Sequence, residues 1–234
     1  MPSFDKRILV IVGGYGSGKS EVAVNLARYL ISATDQPVLI ADLDIINPYF
    51  RSREAAAELA ALGVRSLVPP GEQAQADLPI VIPEIKGAIE QHDGYLILDV
   101  GGDDVGSRVL SSLADAFVPG TYDMLLVLNG NRPFTATVEG ARNLLAQIET
   151  ASRLSFTGLI GNTHMLEFTT PEIVLEGLAL TEKVSAETGL PIRFISLLAP
   201  VLEKMPVFPH AHPLLPLGRS LVKPWEKKHG ANGP

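Results

Sequence analysis

The sequence predicts an α/β fold, a three-layer sandwich with a mostly parallel central sheet flanked by helices. Two observations point to it. Short runs of Val, Ile and Leu alternate with longer segments of helical period, as crossover connections between parallel strands require. Several runs are also apolar on successive residues, as in Ile8-Leu9-Val10-Ile11-Val12, which suits a strand covered on both faces.

Six strands are expected: Arg7–Val12, Pro37–Asp42, Tyr95–Val100, Asp123–Leu128, Phe156–Ile160 and Ile192–Leu197. Between them Ser20–Ile31, Ser52–Leu62, Pro83–Gln91, Phe134–Ala151 and Pro171–Thr188 read as helices, several with Pro in the first turn or Ser and Thr available as caps. Val64–Pro79 is less regular and holds Pro69, Pro70 and Gly71, consistent with a short edge strand followed by a loop. Residues 1–199 are expected to form one nucleotide-binding domain. Residues 200–234, with prolines at 200, 206, 209, 213, 216 and 224, form a tail packed on that domain or partly ordered. No internal repeat is visible.

Composition narrows the function. Apolar residues make up 46% and charged residues 19% of the chain, the balance of a folded globular protein. The formal charge is −7, and no Lys/Arg stripe is present to neutralise a phosphate backbone, so direct nucleic-acid binding is not expected. The absence of cysteine excludes disulfides, thiolate metal sites and a cysteine nucleophile within this chain. Neither a signal segment nor an apolar run of spanning length is seen, and a cytoplasmic location is expected.

The strongest motif is Gly13-Gly14-Tyr15-Gly16-Ser17-Gly18-Lys19-Ser20, which fits G-x-x-x-x-G-K-[ST] between a buried strand and a helix. Glycines let the backbone curl so that N–H groups converge on an anion, and the following helix adds its positive end. Lys19 is expected on the β- and γ-phosphates, and the Ser20 hydroxyl on Mg²⁺. Tyr15 either caps the loop or touches nucleotide.

Two acidic strand ends follow. Asp42 and Asp44 in Ala41-Asp42-Leu43-Asp44 lie two residues apart, so on an extended segment both face one way. Tyr95-Leu96-Ile97-Leu98-Asp99 is an apolar strand ending in Asp, followed by Gly101-Gly102. Asp99 is expected to hold a water in the magnesium shell, and Gly102 to offer its N–H to the γ-phosphate.

A phosphate loop, a helix, V-L-I-A-D-L-D and an Asp-terminated strand together resemble the MinD/ParA/CobQ-type P-loop NTPase domain. The similarity covers about Arg7 to Leu197. It implies that Asp44 positions the attacking water, that Asp42 lies near the magnesium shell, and that Asn162, in Gly161-Asn162-Thr163-His164, reads the adenine edge. That segment contains no N-K-x-D, which favours ATP over GTP. One departure is specific: the family's signature lysine, which reaches phosphates of the partner subunit, falls on Gly14. Dethiobiotin synthetase and related enzymes also lack it.

Arg51 and Arg53 follow Asp44 in the switch I position, and Arg51 is the first candidate to stabilise charge on the transferring phosphoryl group. Arg132, after the fourth expected strand, ranks below it, and His164 reads equally well as a hydrogen-bonding residue. His210 and His212 are spaced for metal but have no third ligand nearby. The basic segment Lys223–Lys228 around Trp225 is too short for a stable membrane anchor. The sequence therefore leads to a Mg²⁺-dependent ATP-binding protein and slow ATPase, switching an unidentified protein partner and pairing as a homodimer, with the dependence of pairing on nucleotide left open. The rival reading is an ATP-dependent small-molecule kinase or ligase resembling dethiobiotin synthetase or cobyrinate amidase.

Overall fold

The computed structural model describes residues 1–43, 55–67, 78–91, 93–102, 104–205, 208 and 212–221. Among these, eight strands form one sheet: β1 (Ile8–Gly13), β2 (Val38–Asp42), β3 (Arg65–Leu67), β4 (Tyr95–Gly101), β5 (Tyr122–Leu128), β6 (Gly158–Gly161), β7 (Ile192–Leu198) and β8 (Leu214–Leu217). Their order is β3-β2-β4-β1-β5-β6-β7-β8, and every pairing is parallel. The helices are α1 (Lys19–Ala33), α2 (Ala56–Ala61), α3 (Leu78–Gln91), α4 (Asp104–Leu113), α5 (Val138–Ser152), α6 (Pro171–Thr188) and α7 (Ala199–Leu202).

Alternation along the strands divides the interior into two layers. Ile8, Val10 and Val12 of β1, with Leu96, Leu98 and Val100 of β4, pack on Ile85 and Ile89 of α3, Leu110 and Leu113 of α4 and Leu145 and Ile148 of α5. Leu9, Ile11 and Ile97 turn the other way, onto Val22, Ala23, Leu26 and Leu30 of α1 and Leu59 of α2. All six β1 residues are buried, as the unbroken apolar run requires. Caps set the later helices. The Thr137 hydroxyl accepts from Gly140 N at the start of α5, Thr170 accepts from Ile173 N ahead of Pro171 in α6, and Gly189 ends α6 at φ 73°.

Four differences from the sequence reading have physical causes. Helix α3 begins at Leu78, not Pro83; the proline sits in its second turn and forgoes one intrahelical bond. The helix expected from Ser52 begins at Ala56, residues 52–54 lying outside the described ones. Helix α4 was not expected, because Gly106, Ser107, Ser111 and Ser112 dilute its propensity; burial of Val109, Leu110 and Leu113 stabilises it. Strand β8 lies beyond residue 199, where prolines obscured it. Among the described residues it is the last strand of the sheet and pairs only with β7, a position that tolerates Pro216.

Candidate functional site

Strand β1 stands between β4 and β5, and the loop leaving it enters α1 at the carboxyl ends of the strands, where open α/β sheets bind ligands. Gly16 and Gly18 take φ of 74° and 86°, the left-handed region. At both the space is taken as well: a Cβ on Gly16 would meet Arg132 Nε at 2.8 Å, and one on Gly18 would meet His164 Nε2 at 2.9 Å.

Four of the loop carbonyls are tied down by hydrogen bonds. Gly102 N donates to the Gly13 oxygen (3.1 Å), Ser17 N to Gly14 (3.0 Å), Arg132 Nε to Gly16 (2.8 Å) and Asn162 Nδ2 to Ser17 (2.8 Å). Asn129, fully buried at the end of β5, donates to Gly16 (3.4 Å) and to the His164 carbonyl (3.3 Å), and its Oδ1 accepts from Asn131 N (3.0 Å). With these carbonyls occupied, N–H groups of a glycine-rich curl are the groups suited to meet an anion.

Lys19 and Ser20 open α1 and are buried, at 5% and 4% exposure. Asp42 and Asp99 are register partners on adjacent strands, and Asp99 is also opposite Ile11 of β1. By alternation with Ile40 and Ile97, both carboxylates point to the α1 side of the sheet. Asp99 is fully buried, and its carbonyl accepts from Leu43 N at 2.8 Å. Ser20 Oγ is buried and meets no hydrogen-bond partner among the described residues. A hydroxyl with an unfilled valence at the head of α1, and a carboxylate pair on the adjoining strands, form a hard-oxygen donor set that fits Mg²⁺. Among the described residues no group of three His, Cys, Asp or Glu could hold a metal by itself.

A cavity of about 400 Å³ adjoins the loop. It is lined by Tyr15, Gly16 and Gly18–Glu21, by Arg132, Asn162 and His164, and by Leu198, Leu217, Arg219 and Leu221. Tyr15 is 73% exposed at its mouth. Burial first, and the charge of Arg132 second, push the His164 imidazole down from 6.5 to about 4, with the Ser17 backbone acting in the opposite sense.

The loop residues, Lys19, Ser20, Asp42, Asp99, Gly102 and Asn162 are thus brought to one end of the sheet. Two of them have different immediate partners from those expected. The Gly102 N–H is on the Gly13 carbonyl rather than directed to a phosphate, and the Asn162 amide nitrogen braces the loop rather than lying open to a base. Asp44, Arg51 and Arg53 lie outside the described residues, as do His210 and Trp225. His212 Nε2 faces Glu182 Oε1 at 3.4 Å. Sequence reasoning missed Asn129 as a brace and the β8 wall. A polar residue directly after an apolar strand was the available signal for the first; nothing local announced the second.

No described helix is long and apolar enough to cross a membrane. No family model matches the chain, and a search of curated proteins found no match. Solved structures do match. The cell division protein FtsY of Thermotoga maritima superposes with a TM-score of 0.53 at 18% identity, covering 84% of this chain and 63% of that one. The signal recognition particle receptor FtsY of Elizabethkingia anophelis, in complex with GDP, gives 0.51 at 19% identity, covering 84% and 58%. A nucleotide-binding protein of Archaeoglobus fulgidus, in complex with ADP, gives 0.51 at 20% identity, covering 84% of each chain. The chain thus spans less than two thirds of the length of both FtsY proteins. With its parallel sheet between two helical layers and its glycine-rich loop joining β1 to α1, the chain has the P-loop NTPase fold.

Proposed function

We propose that this chain binds Mg·ATP, hydrolyses it slowly, and acts as a nucleotide-controlled switch for a protein partner. One observation carries the reading: a loop braced through its carbonyls, its Lys19 and Ser20 on the same side of the sheet as Asp42 and Asp99, lining a cavity. Lys19 and the loop amides hold the β- and γ-phosphates. Ser20 Oγ and Asp99 hold the metal, with Asp42 beside them. Bound magnesium supplies neutralisation of phosphate charge. Asp44 orients water and Arg51 meets charge developing on the phosphoryl group. The work asked of the protein is placement and electrostatics, which suits a site without a covalent nucleophile.

Hydrogen bonding suggests how the switch is thrown. The Gly102 N–H rests on the Gly13 carbonyl at 3.1 Å and reaches a γ-phosphate only by leaving it. Triphosphate and diphosphate then differ in what they do to the end of β4, the kind of differential contact a switch needs.

The test is calorimetry with ATP and GTP in magnesium, together with basal phosphate release and mass in solution. The wild type is expected to bind ATP more tightly than GTP. Lys19→Ala should weaken binding about a hundredfold, and Asp44→Ala should bind ATP without turnover. No heat of association with either nucleotide would end the reading.

Gly14 favours a second reading, because the lysine that acts across a nucleotide-linked dimer is missing. In it the cavity accepts a metabolite next to ATP, as in a small-molecule kinase or ligase. Turnover that appears only on adding a metabolite extract, with mass unchanged by nucleotide, selects it.

A further inference from the structure

One wall of the cavity comes from a segment nearly two hundred residues beyond the phosphate loop, and side chains of α1 hold it. Ser220 N donates to Glu21 Oε1 at 2.7 Å, and Leu221 N donates to Glu21 Oε2 at 3.1 Å. One turn further along α1, Asn25 pairs with the backbone of Gly218 as a strand would. Its Oδ1 accepts from Gly218 N at 2.8 Å, and its Nδ2 donates to the Gly218 carbonyl at 2.9 Å. Glu21 immediately follows Ser20, so the residue after the expected metal ligand grips the cavity wall.

We propose that Glu21 and Asn25 are positioning residues for the nucleoside half of the ligand: they fix Gly218–Leu221 so that Leu217 and Leu221 present a mainly apolar wall to base and ribose, while the phosphate loop holds the phosphates. This rests on the nucleotide reading of the site. Three observations support it. Leu217 and Leu221, which flank Gly218–Ser220, are buried and line the cavity with Leu198, as does Arg219 between them. The wall lines the same cavity as Gly16, Gly18, Lys19 and Ser20. A carboxylate in the first turn of α1 would repel a phosphate if its charge faced the loop. Instead both oxygens are committed to backbone N–H groups of the wall, and such charge-assisted bonds are strong enough to order a segment without secondary structure of its own. The clamp also couples the two halves of the site, because whatever seats α1 also seats the wall, and the coupling is reciprocal.

The experiment compares two probes, the tighter-binding of ATP and GTP and inorganic tripolyphosphate, each titrated calorimetrically in magnesium. Wild type is compared with Glu21→Ala, Glu21→Gln and Asn25→Ala, with melting of each apo protein recorded. Glu21→Ala should weaken nucleotide about tenfold, the loss of two charge-assisted bonds in part restored by rearrangement, and leave tripolyphosphate within about twofold of wild type. Glu21→Gln keeps one acceptor oxygen and should fall between; if the alanine variant does not fold, the Gln and Asn25→Ala variants carry the same comparison. An unchanged ratio of the two affinities overturns the proposal, whether both are weakened together or neither is. Failure of wild type to bind nucleotide or tripolyphosphate instead removes the reading of the site.

Discussion

His164 shows how one partly buried side chain ties the site to pH. Its imidazole is held near 4 by burial and by Arg132, against 6.5 in an open chain. Between those values the unfolded chain carries a proton that the native protein refuses, so stability rises with pH across the window and falls as acid is added. The full effect is roughly 3 kcal/mol, developed on going from above pH 6.5 to about pH 4. Chemical denaturation of wild type and His164→Gln at pH 7.5, 6 and 4.5 checks it. The difference between them should favour the variant increasingly as pH falls, and a constant difference would show that the imidazole takes up its proton normally. The same residue marks what was legible at this scale. Gly16, Gly18, Lys19 and Ser20 were readable because the phosphate cradle is written in consecutive residues. The braces from Asn129, Arg132 and Asn162 reach the loop across 113, 116 and 145 residues, and no spacing rule connects such positions.

At the scale of elements, strands were the more readable because burial on both faces leaves an apolar run, unbroken in β1 and interrupted by a single Asp in β4 and in β5. Helix α4 and strand β8 were not, because each is held by its place in the assembly rather than by its own propensities. Pro216 lies inside β8, and only the sheet's free edge makes that acceptable. Helix α5 is the opposite case, with its start fixed locally: Thr137 Oγ1 accepts from Gly140 N at 3.1 Å, satisfying one of the orphan donors of the first turn. Thr137→Ala should therefore cost about 1 kcal/mol, read as a lower urea midpoint with an unchanged slope. It should not alter nucleotide affinity, since α5 packs on the face of the sheet opposite α1. A change in affinity at constant stability would mean that α5 and the loop are coupled more tightly than their packing indicates.

The whole molecule poses the question of pairing, and Gly14 is where it can be asked. Gly16 and Gly18 need glycine for both conformation and space, but position 14 needs it for neither. Its φ is not in the left-handed region, and a Cβ there would touch only Leu144 Cδ2, at an ordinary 3.9 Å. The missing lysine is thus not enforced by packing, and Gly14→Lys should fold with a melting temperature close to wild type. Its consequence separates the two functional readings. If two copies pair across nucleotide, a lysine at the loop entrance adds a cation beside the partner's phosphates, and electrostatic attraction in a partly water-excluded interface should stabilise the pair. Light scattering with ATP should then show the variant dimeric at protein concentrations about tenfold below those the wild type needs, with ADP giving no such shift. If the fold serves a metabolite enzyme, the added ammonium has no partner phosphate to meet. Mass with ATP would then match wild type at every concentration, and the dimer would be set aside while the phosphate loop, Lys19 and Asp99 kept their roles.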